Sequence, residues 1–193
     1  MKKFLAIALI AVVAMTAVFA NGSSESASSE VKIGFIGPLT GDYAHYGTLC
    51  RQAVEMAIDE CNAKGGIDGM TVKLIAEDSE GDPNKAYAAM EKLANTDKVS
   101  AVIGPVLTGE AFSVGPIACE LGVLSVTPSA SHKDVTNQGD YIFRTTPSDG
   151  LQGEVAGKYW YQILGYRKLA VLYAKNDYSQ GLYEGMKEAF EAD

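Results

Sequence analysis

Hydroxyl-bearing residues cluster in three loops, each of which follows a run of β-type residues. The loops span residues 37–47, 104–109 and 127–131, and they offer Tyr46, Thr108, Ser129 and Ser131. No Lys or Arg lies between Gly104 and Ser131, so an anion bound there would be held by backbone N–H groups and hydroxyls alone. A helix predicted to begin near Gly109 would add free N–H donors and the positive end of its dipole. This pattern favours one carboxylate over a triphosphate.

The same loops can also recognise a cation. Hydroxyls and backbone carbonyls over residues 129–131, which include Ala130, can accept hydrogen bonds from an ammonium group. In open α/β sheets, ligands bind beyond the carboxyl ends of the strands, so we expect the three loops to border one crevice. A zwitterion, such as an amino acid, is the predicted ligand. The alternative is that Thr108 and Ser131 only cap turns.

The sequence contains no arrangement of residues that is typical of a catalytic or metal-binding site. Ser131, His132 and Asp134 are too close along the chain to form a triad, and there is no Gly-x-Ser-x-Gly elbow. The two histidines, His45 and His132, have no metal-ligand spacing. The acidic run over residues 78–84 resembles the start of a calcium loop, but Pro83 stands where that loop needs glycine. We therefore expect no enzymatic activity, no metal and no cofactor.

From Val31 onward, short β-type runs alternate with helical stripes, which is the pattern of a parallel, doubly wound α/β sheet. The predicted strands cover 31–36, 71–76, 99–103, 123–126 and 141–144, and the helices cover 48–63, about 82–94 and about 109–120. We expect the strand order 2-1-3-4-5. Right-handed crossovers then place the first helix on one face and the next two on the other. The second helix should begin at Asp82 and bury Ala86, Tyr87, Met90, Leu93 and Ala94.

Residues 31–147 are thus predicted to form a Rossmann-like lobe, and residues 148–193 an incomplete second α/β lobe. In the second segment we predict a helix over 149–164, a strand over Leu169–Tyr173 and a final helix through Phe190. One strand cannot form a sheet, so we expect the chain to be a fragment of a longer protein. The alternatives are that its last part is disordered or is completed by a partner.

The amino terminus has the pattern of an export signal. Lys2 and Lys3 precede an apolar run over residues 4–20, which predicts a signal peptide over residues 1–20 that is cleaved after Ala20. An uncleaved anchor is the alternative, although a membrane span needs about 20 apolar residues. Residues 21–30 are rich in Ser and are predicted to be a flexible tether. The product is expected in the periplasm.

The net charge and the positions of the cysteines bear on nucleic-acid binding and on disulfide formation. Removal of Lys2 and Lys3 with the signal peptide takes the formal net charge from −8 to −10, which disfavours nucleic acid. Cys50 and Cys61 lie on one predicted helix about 16 Å apart by the helical rise, whereas a disulfide needs Cα atoms within about 7 Å. We therefore predict free thiols in these cysteines, and the buried stripe around Cys50 places its side chain toward a core.

Several runs, in this order and spacing, resemble the leucine/isoleucine/valine-binding family of periplasmic substrate-binding proteins. They are residues 33–41, 62–67, 102–105, 115–118, 127–131 and 143–145. The resemblance implies a type I periplasmic-binding fold, in which two Rossmann-like lobes close on an amino acid. It also implies a monomer that delivers its ligand to an ABC permease in the membrane. A ligand-sensing extracellular domain of a receptor, which uses the same fold, is the alternative function.

The resemblance also assigns roles to residues. Thr108 and Gly109 match the positions that hold the ligand carboxylate, residues 129–131 match the stretch that holds both charged groups, and Tyr46 and Tyr178 match pocket tyrosines. Two features depart from the family. The chain is about half of the usual length, so the acidic residue that pairs with the ammonium would lie outside it. The disulfide of some members would fall at Gly81 and Leu107, and it is absent here.

Overall fold

The structure, a computed structural model, describes residues 30–192. Within that range, strands β1 to β5 cover Glu30–Gly37, Thr71–Asp78, Ala101–Ile103, Leu124–Thr127 and Ile142–Arg144. Helices α1 to α5 cover Ala44–Ala63, Pro83–Lys92, Thr108–Leu121, Asp149–Lys158 and Asp177–Glu191. π-Helical turns follow α2 (Leu93–Asp97) and α4 (Tyr159–Ile163), and a 3-10 turn covers Val135–Asn137. The predicted signal peptide and residues 21–29 of the predicted tether lie outside the described residues.

The five strands form one parallel sheet with the order β2-β1-β3-β4-β5, which confirms the predicted topology. Phe35 in β1 pairs with Ala76 in β2 on one side and with Ile103 in β3 on the other. The chain therefore winds outward in both directions from β1. This arrangement puts the carboxyl ends of β1 and β3 at the point where strand order reverses, the usual place for a ligand crevice.

Apolar side chains cover both faces of this sheet. Phe35 packs on one face with Val54 of α1 and with Val106. Ile36 packs on the opposite face in a cluster that includes Met90 of α2 and residues of α3. Successive strand residues point to opposite faces, so these two fully buried neighbours anchor the two helical layers. The placement of α1 opposite α2 and α3 is the one that right-handed crossovers predict.

Helix α2 begins where the sequence predicts. Asp82 is the N-cap residue, and its Oδ1 accepts a hydrogen bond of 2.7 Å from the N–H of Asn84. Pro83 takes the first helical position, where its missing N–H is not needed. The predicted burial of Tyr87 is wrong, since the residue is 40% exposed, whereas Met90 is fully buried. The helix therefore meets the sheet through a narrower apolar stripe than predicted.

All three cysteines are free and half-buried. Cys50 and Cys61 lie in α1, whereas Cys119 lies in α3 on the other face of the sheet. Burial raises the pKa of the Cys50 thiol, so its reactive thiolate form is disfavoured. No helix in residues 30–192 combines the length and the apolar character that a membrane span requires.

The strand predicted over Leu169–Tyr173 is wrong. Residues 165–176 contain no strand, and Leu172 is fully exposed. A strand needs a hydrogen-bonded neighbour, and the five-stranded sheet ends at β5 in the described part of the chain. The residues after Pro147 consequently form a helix pair, α4 and α5, instead of a layered sheet.

Helices α4 and α5 pack backbone against backbone. A Cβ added to Gly153 would lie 2.5 Å from the Met186 nitrogen and 2.6 Å from the Leu182 oxygen. A Cβ on Gly157, one turn later, would lie 2.5 Å from the Met186 oxygen. These glycines let the two helices approach closely, and α5 in turn contacts α3. The helix pair thereby brings the amino terminus of α5 to the carboxyl edge of the sheet.

Candidate functional site

A crevice of about 710 Å³ lies at the carboxyl edge of the sheet, bordered by the three loops and by the start of α5. Six of the seven residues predicted to bind ligand line it: Tyr46, Thr108, Gly109, Ser129, Ser131 and Tyr178. The structure therefore brings together residues that are more than 130 positions apart in sequence. The seventh, Ala130, is 1% exposed and packs in a small apolar cluster away from the crevice.

Helix α3 presents its amino terminus to the crevice. The helix begins at Thr108, and the first hydrogen bond back to the preceding loop is donated by the Ala111 N–H to the Leu107 oxygen at 3.0 Å. The N–H groups of the first turn consequently have no acceptor within the helix. These donors and the dipole of the helix suit an anion. Thr108 itself is 4% exposed, although it lines the crevice.

Glu110 completes this helix start, and the sequence analysis missed it. The Leu107 N–H donates to its Oε2 at 3.1 Å, whereas Oε1 has no hydrogen-bond partner among the described residues. Burial raises the pKa of this carboxyl, although hydrogen bonds from Ser79 and from the adjoining backbone oppose the rise. An acidic residue three positions into a helix is a known capping signal, and it could have identified Glu110 in the sequence.

The loop after β4 is fixed by Thr127. Its Oγ1 donates to the Pro105 oxygen at 2.6 Å and accepts from the N–H groups of Ala130 at 2.9 Å and Ser129 at 3.3 Å. This turn places Ser129 and Ser131 on the crevice side while the Ala130 side chain enters the core. The turn thereby sets the positions of the two serines at the crevice.

Ser131 also connects the crevice to α4. Its backbone oxygen accepts a hydrogen bond of 2.8 Å from the N–H of Asp149, the first residue of that helix. The Asp149 carboxyl is fully buried, and burial raises its pKa, while the Ser131 hydroxyl and the charges of His132 and Arg144 act in the opposite direction. A buried acid thus lies directly behind a residue that lines the crevice.

Asp78 holds the loop after β1. Its Oδ1 accepts from the N–H groups of Leu39 at 2.7 Å and Glu80 at 2.8 Å, and its Oδ2 accepts from the Thr40 hydroxyl at 2.6 Å. Burial by itself raises the pKa of this carboxyl, but the hydrogen bonds outweigh burial and hold the pKa below its usual value. The acidic run that resembles a calcium loop is therefore used for hydrogen bonds. The described residues contain no cluster suited to a metal ion.

Two tyrosines on the sheet lobe and one on α5 form the aromatic part of the crevice. Tyr43, Tyr46 and Tyr178 are each about half exposed. Gly47 fixes the position of Tyr46, since a Cβ on this glycine would overlap the Pro38 carbonyl oxygen. Tyr43 and Asp177 were not singled out from the sequence, although each lies within three residues of a predicted tyrosine. Their proximity to those tyrosines in the sequence was the available signal.

An open, doubly wound sheet with a hydroxyl-lined crevice at its carboxyl edge and a second segment across that crevice is the architecture of a two-part solute-binding protein. The family model described as periplasmic binding protein matches residues 30–193. The chain therefore belongs to that family, which confirms the resemblance and the fold that the sequence suggested.

Individual relatives agree with this assignment. The chain is 37% identical over 167 residues to the Leu/Ile/Val-binding protein BraC3 of Rhizobium johnstonii, covering 86% of this chain and 45% of that protein. The crystal structure of the branched-chain amino acid transporter substrate binding protein LivJ from Streptococcus pneumoniae, in complex with isoleucine, is similar with a TM-score of 0.77 and 33% identity. That alignment covers 84% of this chain and 47% of LivJ.

A second similar structure carries a different ligand. It is the solute binding protein of an ABC transporter from Rhodopseudomonas palustris HaA2 in complex with p-hydroxybenzoic acid, with a TM-score of 0.74 and 28% identity. The alignment covers 84% of this chain and 44% of that protein. The chain thus spans about half the length of the relatives it matches.

Proposed function

We propose that this chain is the amino-terminal part of an extracytoplasmic substrate-binding component of an ABC importer, and that it binds an amino acid by its carboxylate and ammonium groups. The observation that carries this proposal is the convergence of Thr108, Ser129 and Ser131 on the first turn of α3 in a crevice without basic side chains. Oriented hydroxyls and helix N–H groups suit a single carboxylate. The relatives named as Leu/Ile/Val-binding or in complex with isoleucine support a branched-chain ligand.

The proposed role needs no catalytic group. Binding of the ligand between two segments that close on it is sufficient for a transport receptor, and an ABC permease is the proposed partner. The location outside the cytoplasm is supported by the family and by the export pattern of residues 1–20. We further propose that residues 31–147 act as the ligand-binding lobe, that residues 148–193 belong to the second lobe, and that the chain is a monomer.

The proposal is tested by titrating the purified chain, isolated after export, with leucine, isoleucine and valine while its backbone amide signals are followed by NMR. We expect shifts concentrated at Thr108, Gly109 and Ser131 and dissociation constants in the millimolar range, about 4 kcal/mol of binding free energy. The chain spans about half the length of the relatives it matches, which is why weak binding is expected. Shifts spread over the surface, or none with any of the three amino acids, would contradict the proposal.

A matched pair of variants locates the site. Thr108→Ala removes a hydroxyl at the start of α3 and should weaken binding about tenfold, the size expected for a hydrogen bond to a charged group. Ser100→Ala removes an exposed hydroxyl beside β3 at the opposite end of the sheet, and it should leave the affinity unchanged. Equal effects of the two substitutions would place the binding elsewhere.

A further inference from the structure

The end of α1 lies against the outer edge of β2. Because β2 stands at the end of the strand order, β1 is its only neighbouring strand within residues 30–192. The Asn62 side chain, in the last turn of α1, contacts the free edge at one position. Its Nδ2 donates to the Val72 oxygen at 2.9 Å, and its Oδ1 accepts from the Val72 N–H at 2.8 Å. One side-chain amide thus makes both hydrogen bonds that the backbone of an adjacent strand would make.

A tight turn over residues 64–70 holds Asn62 in this position. Gly66 has a φ of +75°, and a Cβ on it would overlap the Met70 oxygen. The Ile67 N–H donates to the same oxygen at 3.0 Å. The run over residues 62–67, one of those that resemble the family, takes no part in the crevice. Its role in the fold is to bring the end of α1 onto the edge of β2.

The other outward backbone groups of β2 are unpaired in the described part of the chain. The Ser79 N–H donates to the Gly37 oxygen, so the odd-numbered residues of β2 face β1, and Val72, Leu74 and Ala76 direct their N–H and C=O groups outward. Within residues 30–192, only the Val72 groups among these have partners. A row of unpaired backbone groups at a sheet edge is a template for a strand of another chain.

The outward residues of β2 form a self-complementary set. If two copies of β2 paired antiparallel with Leu74 opposite Leu74, Val72 of each copy would face Ala76 of the other, and each matched pair would exchange two hydrogen bonds. Lys73 would then lie opposite Ile75 of the second copy, so like charges would not oppose each other there. The strand therefore fits a second copy of itself.

We propose that the Asn62 side chain prevents β2 from pairing with β2 of a second copy. By occupying the Val72 groups, Asn62 removes both of the Val72–Ala76 pairs and leaves only the central Leu74 pair. A single pair of hydrogen bonds contributes too little to hold two chains together. The inference concerns self-association and does not depend on the ligand, so it stands or falls separately from the proposed function.

The inference is tested by sedimentation velocity over a dilution series of the whole exported chain and of Asn62→Ala, with circular dichroism as a check of the fold. We expect the dissociation constant for self-association to be at least tenfold lower for Asn62→Ala than for the unmodified chain. Asp82→Ala is the control for lost stability, because it also removes a side-chain acceptor of backbone hydrogen bonds but leaves the edge of β2 unchanged. Its self-association should stay within twofold of the unmodified chain.

A second substitution should reverse the effect of the first. The Ala76 N–H points away from β1, so Ala76→Pro removes no hydrogen bond of the sheet and blocks the edge. We expect the double variant Asn62→Ala/Ala76→Pro to associate no more strongly than the unmodified chain. The inference is overturned if Asn62→Ala does not associate more strongly than the unmodified chain, if Asp82→Ala associates as strongly as Asn62→Ala, or if the double variant does so.

Amide hydrogen exchange gives a test that needs no substitution. In the unmodified chain the Val72 N–H is bonded to Asn62, and it should exchange at least tenfold more slowly than the N–H groups of Leu74 and Ala76. Equal protection of all three N–H groups, independent of protein concentration, would mean that the edge is already covered. That result would overturn the inference even if Asn62→Ala did not fold.

Discussion

The close contact of the α4 glycines with α5 predicts how a substitution in α4 changes the stability of the chain, and a second glycine of α4 provides the control. Gly153→Ala places a methyl group 2.5 Å from the Met186 nitrogen and 2.6 Å from the Leu182 oxygen. Both are backbone atoms of α5, so neither can rotate away. Because ordinary contact begins near 3.4 Å, the helices must separate by roughly 1 Å at this point. The substitution therefore acts on the whole helix pair.

The expected size follows from two opposing effects. Overpacking of a tight contact costs about 1–3 kcal/mol, whereas replacing glycine by alanine inside a helix stabilises it by up to about 1 kcal/mol. Overpacking exceeds the helix-propensity gain, and we expect Gly153→Ala to lower the free energy of unfolding by about 1–2 kcal/mol. For a chain of this length that corresponds to a fall in melting temperature of roughly 2–8 °C.

Gly150→Ala in the same helix is the control. Its Cβ would meet the Lys133 side chain at 3.7 Å and the Ser148 hydroxyl oxygen at 3.9 Å, which are ordinary contacts. This variant should gain stability by about 0.5 kcal/mol, the lower part of the helix-propensity range. Urea unfolding followed by circular dichroism measures both variants. If Gly153→Ala is as stable as the unmodified chain, or if Gly150→Ala loses as much stability as Gly153→Ala, the close backbone packing described here is refuted.

Three further substitutions test the loops and helix starts that form the crevice. Asp78→Asn should lower the free energy of unfolding by about 1.5 kcal/mol at pH 7, because charge-assisted hydrogen bonds from Leu39 and Thr40 are lost. The pKa of Asp78 is lowered in the folded state, so the stability difference between the variant and the unmodified chain should shrink below about pH 3.8, where the unmodified carboxyl becomes protonated. Asp149→Asn should show the opposite pH dependence of stability. The pKa of Asp149 is raised in the folded state, so the stability that its carboxyl contributes is complete below about pH 3.8 and is lost as pH rises. The variant should therefore be more stable than the unmodified chain at pH 7 and equally stable in acid. Unfolding curves at pH 3 and pH 7 separate the two cases, and a change of the two variants' relative stability in the same direction would contradict at least one of the two predictions. Asp82→Ala should cost about 1 kcal/mol by removing the N-cap of α2, and a loss below the error of the unfolding curves would show that the cap contributes little.

The topology could be predicted from the sequence because its determinants are local. Alternating apolar runs, the Asp82 cap and glycines such as Gly104 after β3 specify where elements begin and end, and the handedness rule then orders them. The hydroxyl residues of the crevice followed from the same reasoning, since each lies in the segment that follows the carboxyl end of a strand or begins the next helix. Tyr87 was misplaced because an apolar stripe alone does not show how much of its width the sheet covers.

The remaining features depend on contacts between distant segments, which local patterns do not encode. Asp177 approaches Gly109 only because α5 packs on the glycines of α4. Likewise, the run around Val171 has the composition of a strand, but β-propensity is expressed only where a neighbouring strand supplies hydrogen bonds. The described residues contain no such neighbouring strand, so this segment forms no strand and the Leu172 side chain is exposed.

The exposure of the crevice tyrosines affects the expected affinity for an amino acid. Ligand pockets normally bury most of the surface of their ligand, yet Tyr46 and Tyr178 are 51% and 46% exposed and face a crevice that is open on one side. The apolar side chain of a branched-chain amino acid would therefore remain partly in water, and each unburied methylene forgoes about 0.8 kcal/mol. Under the proposed function, the charged ends of the ligand would in contrast lie at the loop that Thr127 holds and at the start of α3. Recognition by this chain should thus depend on the charged groups of the ligand far more than on its side chain, and leucine, isoleucine and valine should bind with nearly equal affinity.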